Sequence, residues 1–322
     1  IILCAYECWY EKVKKGAIAL VGQTGIIGPQ AMPWHEFSCG INKVVDLGNK
    51  CDVNESDVLE YLGDDSTVKV IALHLEDIKD GQRFLRIAKQ VIKKKPILVL
   101  KVGRTKEGAK ALASHTGSLA GDDQVFDSLC KQTGVIRVDR WNELLDFAKI
   151  LAHQPLPKGN RVGIVSVTGG GAAIMTDMAA QCGLTMANLS ARSSKRLAEL
   201  YPPAWGANPI DLGPPAPYYG PETWFSLCQE TLDILLNDDN VDCVAMVIAA
   251  DPFGASLQVN TKMAKRLRGN LSKPIAIWTY GPSLSHVAEL SRGLENLGFP
   301  VYLDPETAIK ALGIMYKYAC AV

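Results

Sequence analysis

The chain has 322 residues, a length that favours about two domains, and 48% of them are hydrophobic, which indicates a packed core. Lys and Arg total 34, as do Asp and Glu, so the net charge is zero; this excludes a broad nucleic-acid-binding surface, which needs a basic excess. The nine cysteines are scattered, without a C-x-x-C pair or zinc-like spacing, so we predict reduced thiols, a cytoplasmic protein and no metal site. The apolar runs are too short to span a bilayer, and no membrane association is predicted.

The first residues differ from a targeting segment. Ile1–Tyr10 is apolar but has neither an initiating Met nor a basic region, unlike a signal peptide. We expect residues 1–14 to be an N-terminal remnant of a longer or processed chain.

Residues 15–154 alternate short apolar runs with amphipathic stretches. This alternation is typical of a parallel sheet with helices on both faces, and it predicts a first α/β domain. The predicted strands are Ala17–Val21, Lys43–Leu47, Val68–Glu76 and Pro96–Val102, and the predicted helices are Asn54–Leu62, Asp80–Lys94 and Trp141–His153.

A segment rich in proline and polar residues follows, and we predict a linker at residues 155–160. The alternation then restarts and predicts a second α/β domain over residues 161–322. Its predicted strands are Arg161–Val167, Val241–Ala249, Lys273–Tyr280 and Phe299–Leu303, and its predicted helices are Ala172–Cys182, Pro221–Leu236, Ser283–Leu297 and Pro305–Tyr318.

The two halves share short sequence segments at turns and strands, in the same order. This favours an internal duplication of one Rossmann-like or flavodoxin-like domain. The alternative is that any two parallel-sheet domains share such turns. The matching pairs are Val21–Gly25 with Val165–Gly169, Lys95–Gly103 with Lys273–Gly281, and Gly134–Asp139 with Gly298–Asp304.

The comparison of the halves isolates an insertion. The first half is 13 residues longer between Gly103 and Asp139 than the second is between Gly281 and Asp304. The extra residues fall within Arg104–Gly121, after a predicted strand. The carboxyl end of a parallel strand is where such sheets bind ligands, so we predict a functional segment there.

Two glycine-bearing turns follow the first strand of each half and are predicted to open helices. Helix N-termini bind anions through their unpaired N–H groups, although either turn alone is equally consistent with a tight connection. If the domains face each other, both turns would hold one phosphate. The candidate residues are Gln23, Thr24 and Gly25 in the first turn and Thr168, Gly169, Gly170 and Gly171 in the second.

His115 lies in the insertion among small and polar residues, Ser114, Thr116, Gly117 and Ser118, which predicts a loop histidine able to reach a ligand. The alternative is a loop histidine bonded to backbone. Glu76 ends a predicted strand at the same sheet edge, where its carboxylate would orient an imidazole; a solvated strand-end acid is equally consistent.

Asn208 and Asp211 lie in a long loop rich in proline and glycine, Tyr201–Tyr219, and loops of this length are usually functional or mobile. A rigid surface loop is equally consistent with this composition.

The insertion also carries a family resemblance. Ser114–Gly121, preceded by Lys101–Gly108, resembles the phosphohistidine segment of the NDP-forming acyl-CoA synthetases, above all that of the alpha chain or half of acetate–CoA ligase (ADP-forming); succinyl-CoA synthetase is a more distant relative. Further segments resemble the family in the same order: Leu47–Lys50, Leu75–Gly81, Thr168–Gly171 and Asn208–Asp211.

The resemblance implies a succinyl-CoA synthetase-like fold and the reaction of a small carboxylic acid, CoA and ATP to acyl-CoA, ADP and phosphate. It implies that His115 carries the phosphoryl group, that Glu76 orients it, and that the two glycine turns hold phosphate. CoA, ADP or ATP and Mg would bind to partner domains, namely a CoA-binding domain and an ATP-grasp subunit or domain.

Departures from the family leave alternatives. Neither a CoA-binding nor an ATP-grasp domain is evident, and Pro29 and Pro33 are expected to shorten the first phosphate helix. A non-catalytic regulatory paralogue is therefore a second hypothesis. A dinucleotide-binding oxidoreductase is a weaker third, because Gly22, Gly25 and Gly28 are spaced G-x-x-G-x-x-G instead of G-x-G-x-x-G.

Overall fold

The computed structural model describes residues 13–28, 31–33, 36–116, 121–201, 207–213, 220–250 and 271–322. The chain divides into two units, the first ending at Ala152 and the second covering His153–Cys320. Gln154, just before the predicted linker, already belongs to the second unit. Its amide Nε2 donates to the carbonyl of Gly298 at 2.8 Å, and its Oε1 accepts from the N–H of Ile275 at 3.0 Å.

The first unit is built on a parallel five-stranded sheet. The strands lie in the order β2-β1-β3-β4-β5, and the central strands β3 and β4 are buried along their whole length, as expected in a parallel sheet covered on both faces. All carboxyl ends therefore meet at one edge. The strands are β1 (Lys15–Gly22), β2 (Ile41–Asp46), β3 (Val70–Leu75), β4 (Ile97–Lys101) and β5 (Ile136–Val138).

The helices of the first unit begin at polar caps. The side chain of Asn54 caps the first helix in a reciprocal box with Asp57, and that of Asp122 caps the fourth. Gly134 ends the fourth helix with a φ of 79°, a conformation that favours glycine. The helices are α1 (Glu55–Asp64), α2 (Gly81–Val91), α3 (Lys106–Thr116), α4 (Asp123–Thr133) and α5 (Trp141–His153); α3 and α4 were not predicted from the sequence.

The second unit is built on a second parallel sheet, in the order β7-β6-β9-β10-β11. The short strand β8 pairs with the end of β6, beyond the point where β7 pairs with its start. The strands are β6 (Arg161–Ser166), β7 (Thr185–Met186), β8 (Ile210–Asp211), β9 (Cys243–Ala249), β10 (Ile275–Tyr280) and β11 (Val301–Tyr302).

The described helices of the second unit follow the same alternation. The sequence did not predict β7, β8 or α7, which are short or lie next to irregular segments. The helices are α6 (Gly169–Gln181), α7 (Ala191–Leu200), α8 (Pro221–Leu236), α9 (Leu284–Asn296) and α10 (Pro305–Ala321).

The two sheets have the same strand order once β8 is set aside, with β6, β7, β9, β10 and β11 equivalent to β1 through β5. This is the 2-1-3-4-5 order of flavodoxin-like folds. The three matching sequence segments fall on equivalent elements: the ends of β1 and β6, the strands β4 and β10, and the strands β5 and β11. The predicted α/β class with two flavodoxin-like sheets is confirmed, and the shared order supports a duplication.

Candidate functional site

The first glycine turn leaves β1 but does not open an α-helix. Where it is described directly after β1, the chain forms a three-residue 3-10 helix, Gly25–Ile27, and the Thr24 hydroxyl accepts from the N–H of Ile26 at 3.4 Å. Our expectation that this turn opens a helix is thus wrong for the described residues. Gly28 is extended, and Pro33 has no N–H to continue a helix, whereas Pro29 lies outside the described residues.

The Gln23 side chain points into the protein instead of towards solvent, with 7% of the residue exposed. Its Oε1 accepts from the N–H groups of Glu76 and Asp77 at 2.9 and 3.3 Å, and its Nε2 donates to Asp77 Oδ1 at 3.2 Å. Gln23 and Glu76 are therefore brought together, with Glu76 buried directly after β3.

A buried ion network, which residue-by-residue reasoning missed, lies beside these residues. Lys50 Nζ is 2.6 Å from Asp77 Oδ1 and 2.8 Å from Glu55 Oε2, and the Lys50 side chain is fully buried. Glu55 Oε1 also accepts from the N–H of Lys79 at 2.9 Å. The segments Leu47–Lys50 and Leu75–Gly81 both resemble the family. That shared resemblance is the one feature of the sequence that could have indicated a contact between them.

His115 lies in the last turn of α3, not in a loop, so that prediction is corrected. The residues leading to it, Lys106–Ser114, are mostly good helix formers such as Ala, Lys and Glu. The Ser114 hydroxyl donates to the carbonyl of Lys110 at 3.0 Å. The side chains of His115 and Thr116 and the whole of Gly117 and Ser118 lie outside the described part of the structure.

The insertion predicted within Arg104–Gly121 contains helix α3. In the first unit α3 and α4 both lie between β4 and β5, whereas the described second unit has only α9 between β10 and β11. The extra helix follows Gly103, whose φ is 70°, at the carboxyl edge of the sheet. The predicted position of the extra residues, within Arg104–Gly121, matches this helix.

Charged side chains hold the start of this insertion. Arg104 Nη1 is 2.8 Å from Asp139 Oδ1, and Arg137 Nη2 is 2.6 Å from Asp123 Oδ1, beside a polar cavity of about 470 Å³. Lys101 is buried below them, its ammonium 5.8 Å from the centre of the Phe126 ring, and burial lowers its pKa. The carboxyl end of β4 is therefore anchored before α3 begins.

His74 is a second histidine near this edge, and sequence reasoning did not consider it. It lies on β3, two residues before Glu76, with its ring 5.4 Å from that of Trp141 in an edge-to-face contact. Its Nδ1 has no hydrogen-bond partner within the described residues, and burial lowers its pKa, so the neutral imidazole is favoured.

The second glycine turn opens a full α-helix. Thr168 is the N-cap of α6, and Gly169 and Gly170 are exposed. The Ser166 hydroxyl fixes the turn by donating to the carbonyl of Thr168 at 2.7 Å and accepting from its N–H at 3.1 Å. The first turn of α6 contains no acidic residue, so the positive end of the helix dipole favours an anion there.

Gly171 is required by the packing of this turn. A Cβ atom at this position would lie 2.7 Å from Trp278 Cζ3 and 3.0 Å from Thr168 Cγ2. The ring of Trp278 lies 5.2 Å from that of Tyr280 on β10, and burial raises the pKa of Tyr280. The Trp278 ring therefore packs against the first turn of α6, with the Tyr280 ring on its strand as a neighbour.

Asn208 and Asp211 occupy different environments although only two residues separate them. The Asn208 amide bonds to backbone throughout: Oδ1 accepts from the N–H of Ile164, and Nδ2 donates to the carbonyls of Val162 and Ala187, at 2.9 to 3.0 Å. Asp211 lies on β8, and its Oδ2 is 3.0 Å from where a Cβ on Gly169 would be. Asp211 thus lies beside the glycine turn, whereas Asn208 ties β6 to neighbouring backbone.

The described residues lack two kinds of feature. They contain no group of three or more His, Cys, Asp or Glu side chains placed to hold a metal ion. They also contain no helix that is both long enough and apolar enough to cross a membrane.

These features define a class of protein with a histidine-bearing insertion on one flavodoxin-like sheet and a glycine-opened helix on another. Residues 15–151 match the family model described as a succinyl-CoA ligase like flavodoxin domain. The chain belongs to the NDP-forming acyl-CoA synthetase family, which confirms the resemblance found in the sequence.

Two curated relatives illustrate the match. The chain is 37% identical over 312 residues to acetate–CoA ligase [ADP-forming] II of Archaeoglobus fulgidus, covering 95% of this chain and 45% of the relative. It is 34% identical over 310 residues to the alpha subunit of acetate–CoA ligase [ADP-forming] I of Pyrococcus furiosus, covering 95% and 65%. The chain thus spans about half to two thirds of the length of these relatives.

A solved structure is similar over nearly the whole chain. The dinucleotide-forming acetyl-coenzyme A synthetase 1 of Ca. Korarchaeum cryptofilum, in complex with phosphate and ADP, superposes with a TM-score of 0.82 at 31% identity. The match covers 96% of this chain and 66% of that one.

Proposed function

We propose that the chain is the phosphoryl-carrying part of an ADP-forming acyl-CoA synthetase, which converts a small carboxylic acid, CoA and ATP to acyl-CoA, ADP and phosphate. The observation that carries the proposal is helix α3, an insertion that begins beyond the carboxyl end of β4 and contains His115 in its last turn. Relatives that match 95% of the chain are named as ADP-forming acetate–CoA ligases.

In the ATP-forming direction the reaction has three steps. Phosphate attacks the thioester carbonyl, the carbon–sulfur bond breaks, and CoA leaves behind an acyl phosphate. An imidazole nitrogen of His115 then takes the phosphoryl group and releases the acid. Phosphohistidine finally transfers the group to ADP, which forms ATP and restores the imidazole.

The predicted catalytic residues and the backbone of the two glycine turns have roles in this scheme. Glu76 orients the His115 imidazole by accepting a hydrogen bond from one ring N–H, which leaves the other ring nitrogen as the nucleophile. Phosphate binds at the first turn of α6, where the N–H groups of Gly169–Gly171 stabilise its charge without reorganising. Backbone at Thr24 and Gly25 forms the corresponding contact in the first unit.

The partners belong to the same proposal. CoA, ADP or ATP and Mg²⁺ bind to a CoA-binding domain and an ATP-grasp domain or subunit, consistent with the share of the relatives that this chain does not match. A structural neighbour was solved in complex with phosphate and ADP, which supports both ligands. None of the seven described cysteines forms a disulfide bond, which supports a cytoplasmic location.

A phosphorylation assay tests this function. The chain is assembled with an ATP-grasp partner, Mg²⁺ and ATP labelled on its γ-phosphate, and acid-labile, base-stable label is mapped by mass spectrometry. We expect label on His115 and none after His115→Ala. His153→Ala is the matched control, because His153 ends α5 at the opposite edge of the sheet, and it should label normally. A folded assembly that takes no label on His115 contradicts the proposal and favours the non-catalytic paralogue.

A further inference from the structure

We propose that Gln23 is a positioning residue that holds Glu76 in place through its side-chain amide, and that it is not a ligand of phosphate. The inference rests on the proposed function, because it concerns the residue that orients His115. It also gives the Gln23 side chain a role other than phosphate binding, the function predicted for the glycine turn that contains Gln23.

The amide of Gln23 is already committed on both sides. A side-chain amide oxygen has two acceptor positions, and here the N–H groups of Glu76 and Asp77 fill both. The Nε2 atom donates to Asp77 Oδ1 at 3.2 Å. Inorganic phosphate at neutral pH binds mainly through its acceptor oxygens, and the Gln23 oxygen has no acceptor position left for a phosphate O–H group because it already accepts from two N–H groups.

The same partners fix which way the amide points. Two backbone donors require an oxygen at that position, and a carboxylate acceptor requires the NH₂ group. A flipped amide would place NH₂ against two N–H donors and an oxygen against a carboxylate. Gln23 therefore has one satisfied orientation, and it is buried in that orientation.

The Asp77 carboxylate that receives Gln23 is itself held. Lys50 Nζ lies 2.6 Å from Asp77 Oδ1 and also donates to the main-chain carbonyl of Asp77 at 2.8 Å. Lys50 is held in turn by Glu55 at 2.8 Å, and its own backbone has a φ of 54°, which few non-glycine residues adopt. The segment bearing Glu76 is thus tied to the ends of β1 and β2 and to the start of α1.

Such a support matters because transfer to an imidazole depends on the position of the orienting carboxylate. A displacement of about 1 Å from an altered supporting residue costs on the order of 100-fold in rate. Loss of Gln23 removes the side-chain bond to the N–H of Glu76, so the carboxylate loses a defined position while the phosphate-binding backbone remains.

The test separates positioning from phosphate binding by kcat and KM. Gln23→Met, similar in shape but without the amide, is assayed in the assembled enzyme for ATP formation from acyl-CoA, ADP and phosphate. We expect kcat to fall about 10- to 100-fold and KM for phosphate to change less than about twofold. A KM raised about tenfold with kcat unchanged would identify a phosphate ligand and overturn the proposal.

A double-mutant cycle gives a second readout. If Gln23 acts through Glu76, then Gln23→Met should lower kcat little further in a Glu76→Gln background. Additive losses in the cycle would contradict the proposal. Should Gln23→Met fail to fold, Asp77→Asn keeps the shape of the support, removes its charge and should lower kcat with the same unchanged KM.

Gln154→Met is the matched control for the loss of a buried glutamine. Gln154 also bonds two backbone groups, but at Ile275 and Gly298, the amino edge of the second sheet. The Gln154→Met variant should have a lower unfolding temperature and an unchanged kcat. A loss of kcat equal to that of Gln23→Met would assign the effect of Gln23→Met to general destabilisation. His115→Ala serves separately: full activity in that variant rejects the proposed function, whatever Gln23 does.

Discussion

The two units share one strand order but differ at the edge where parallel sheets bind ligands. The first unit has an additional helix, α3, between β4 and β5, and its described residues directly after β1 form a short 3-10 helix. The second unit has the 13-residue helix α6 after β6 and the extra strand β8 beside it. Divergence is therefore concentrated in connections at the carboxyl ends of the strands, while the sheets are retained.

Buried charge is also distributed differently in the two units. In the first unit Lys50, Glu55 and Asp77 lie at the carboxyl edge, next to Glu76. In the second unit the buried Asp242 lies at the amino edge, where it accepts from Arg161 at the start of β6. Buried carboxylates therefore support the proposed catalytic segment in the first unit, whereas in the second unit a buried carboxylate pairs with a partly exposed arginine at the amino edge of the sheet.

The largest expected effect is on phosphorylation, and it comes from removing the insertion so that the connection after β4 resembles the one after β10. Replacing Arg104–Gly121 by a single Pro would copy the connection Gly281–Ser283, and Asp122 would still cap α4. We expect the sheet to fold and phosphorylation to be lost completely, because His115 is removed with the insertion. Circular dichroism melting reports the fold, and the labelled-ATP assay reports the carrier function.

Two results would contradict this interpretation of the insertion. Label that persists after the replacement would show that another residue carries the phosphoryl group. Loss of cooperative unfolding would show that α3 is a structural part of the sheet domain, not an addition to it. His115→Ala in the intact chain distinguishes loss of the side chain from loss of the helix.

A smaller effect should separate two neighbouring glycines of the α6 turn. Gly171→Ala would place a Cβ 2.7 Å from Trp278 Cζ3, and such overpacking costs about 1–3 kcal/mol. Gly170→Ala is the matched control, because its nearest atom is 4.0 Å away and alanine favours helices by about 0.5–1 kcal/mol. Urea unfolding should give a lower free energy of unfolding for Gly171→Ala and a higher one for Gly170→Ala. Equal changes in the free energy of unfolding of both variants would contradict the inference that Trp278 leaves no room for a Cβ atom at position 171.

Regular elements were predictable where local pattern decides them. Trp141–His153 and Pro221–Leu236 were predicted with the bounds that the structure gives, because apolar spacing and end signals agree. The helix α3 was missed because the Ser-Gly-rich residues around His115 indicate a loop, whereas the preceding Lys106–Ser114 favours helix. Strands of two residues, such as β8, leave no periodic signal and depend on pairing with β6.

The residues of the candidate site could be predicted from the sequence more readily than the contacts that these residues make. Gln23, Glu76 and the α6 turn could be chosen from sequence, but their partners lie far away in the chain. Lys50 and Asp77 are 27 positions apart, and only the fold shows that they form a buried pair. The Asn208 amide likewise bonds to β6 and Ala187, which no local pattern indicates.

The smallest expected effect concerns the amino edge of the second sheet. Burial alone would raise the pKa of Asp242, but hydrogen bonds and charge from Arg161 outweigh it and hold that pKa below its ordinary value. The folded pKa is thus below the unfolded value of about 3.9, so the stabilisation is present above that pH and is lost as pH falls through the folded pKa. Asp242→Asn should lower the free energy of unfolding by about 1 kcal/mol at pH 7, since Arg161 is 41% exposed and solvent screens the pair.

Chemical denaturation at pH 7, 5, 4 and 3 measures this difference, which should shrink below about pH 4 as the wild-type carboxylate becomes protonated. Asp64→Asn is the matched control, because Asp64 pairs with Lys94 at 2.7 Å while both side chains are mostly exposed. That variant should unfold like the wild type at every pH, since water and salt screen the pair. A difference for Asp242→Asn that stays constant down to pH 3 would assign its effect to packing, and the ion pair would then not be what closes the amino edge of this sheet.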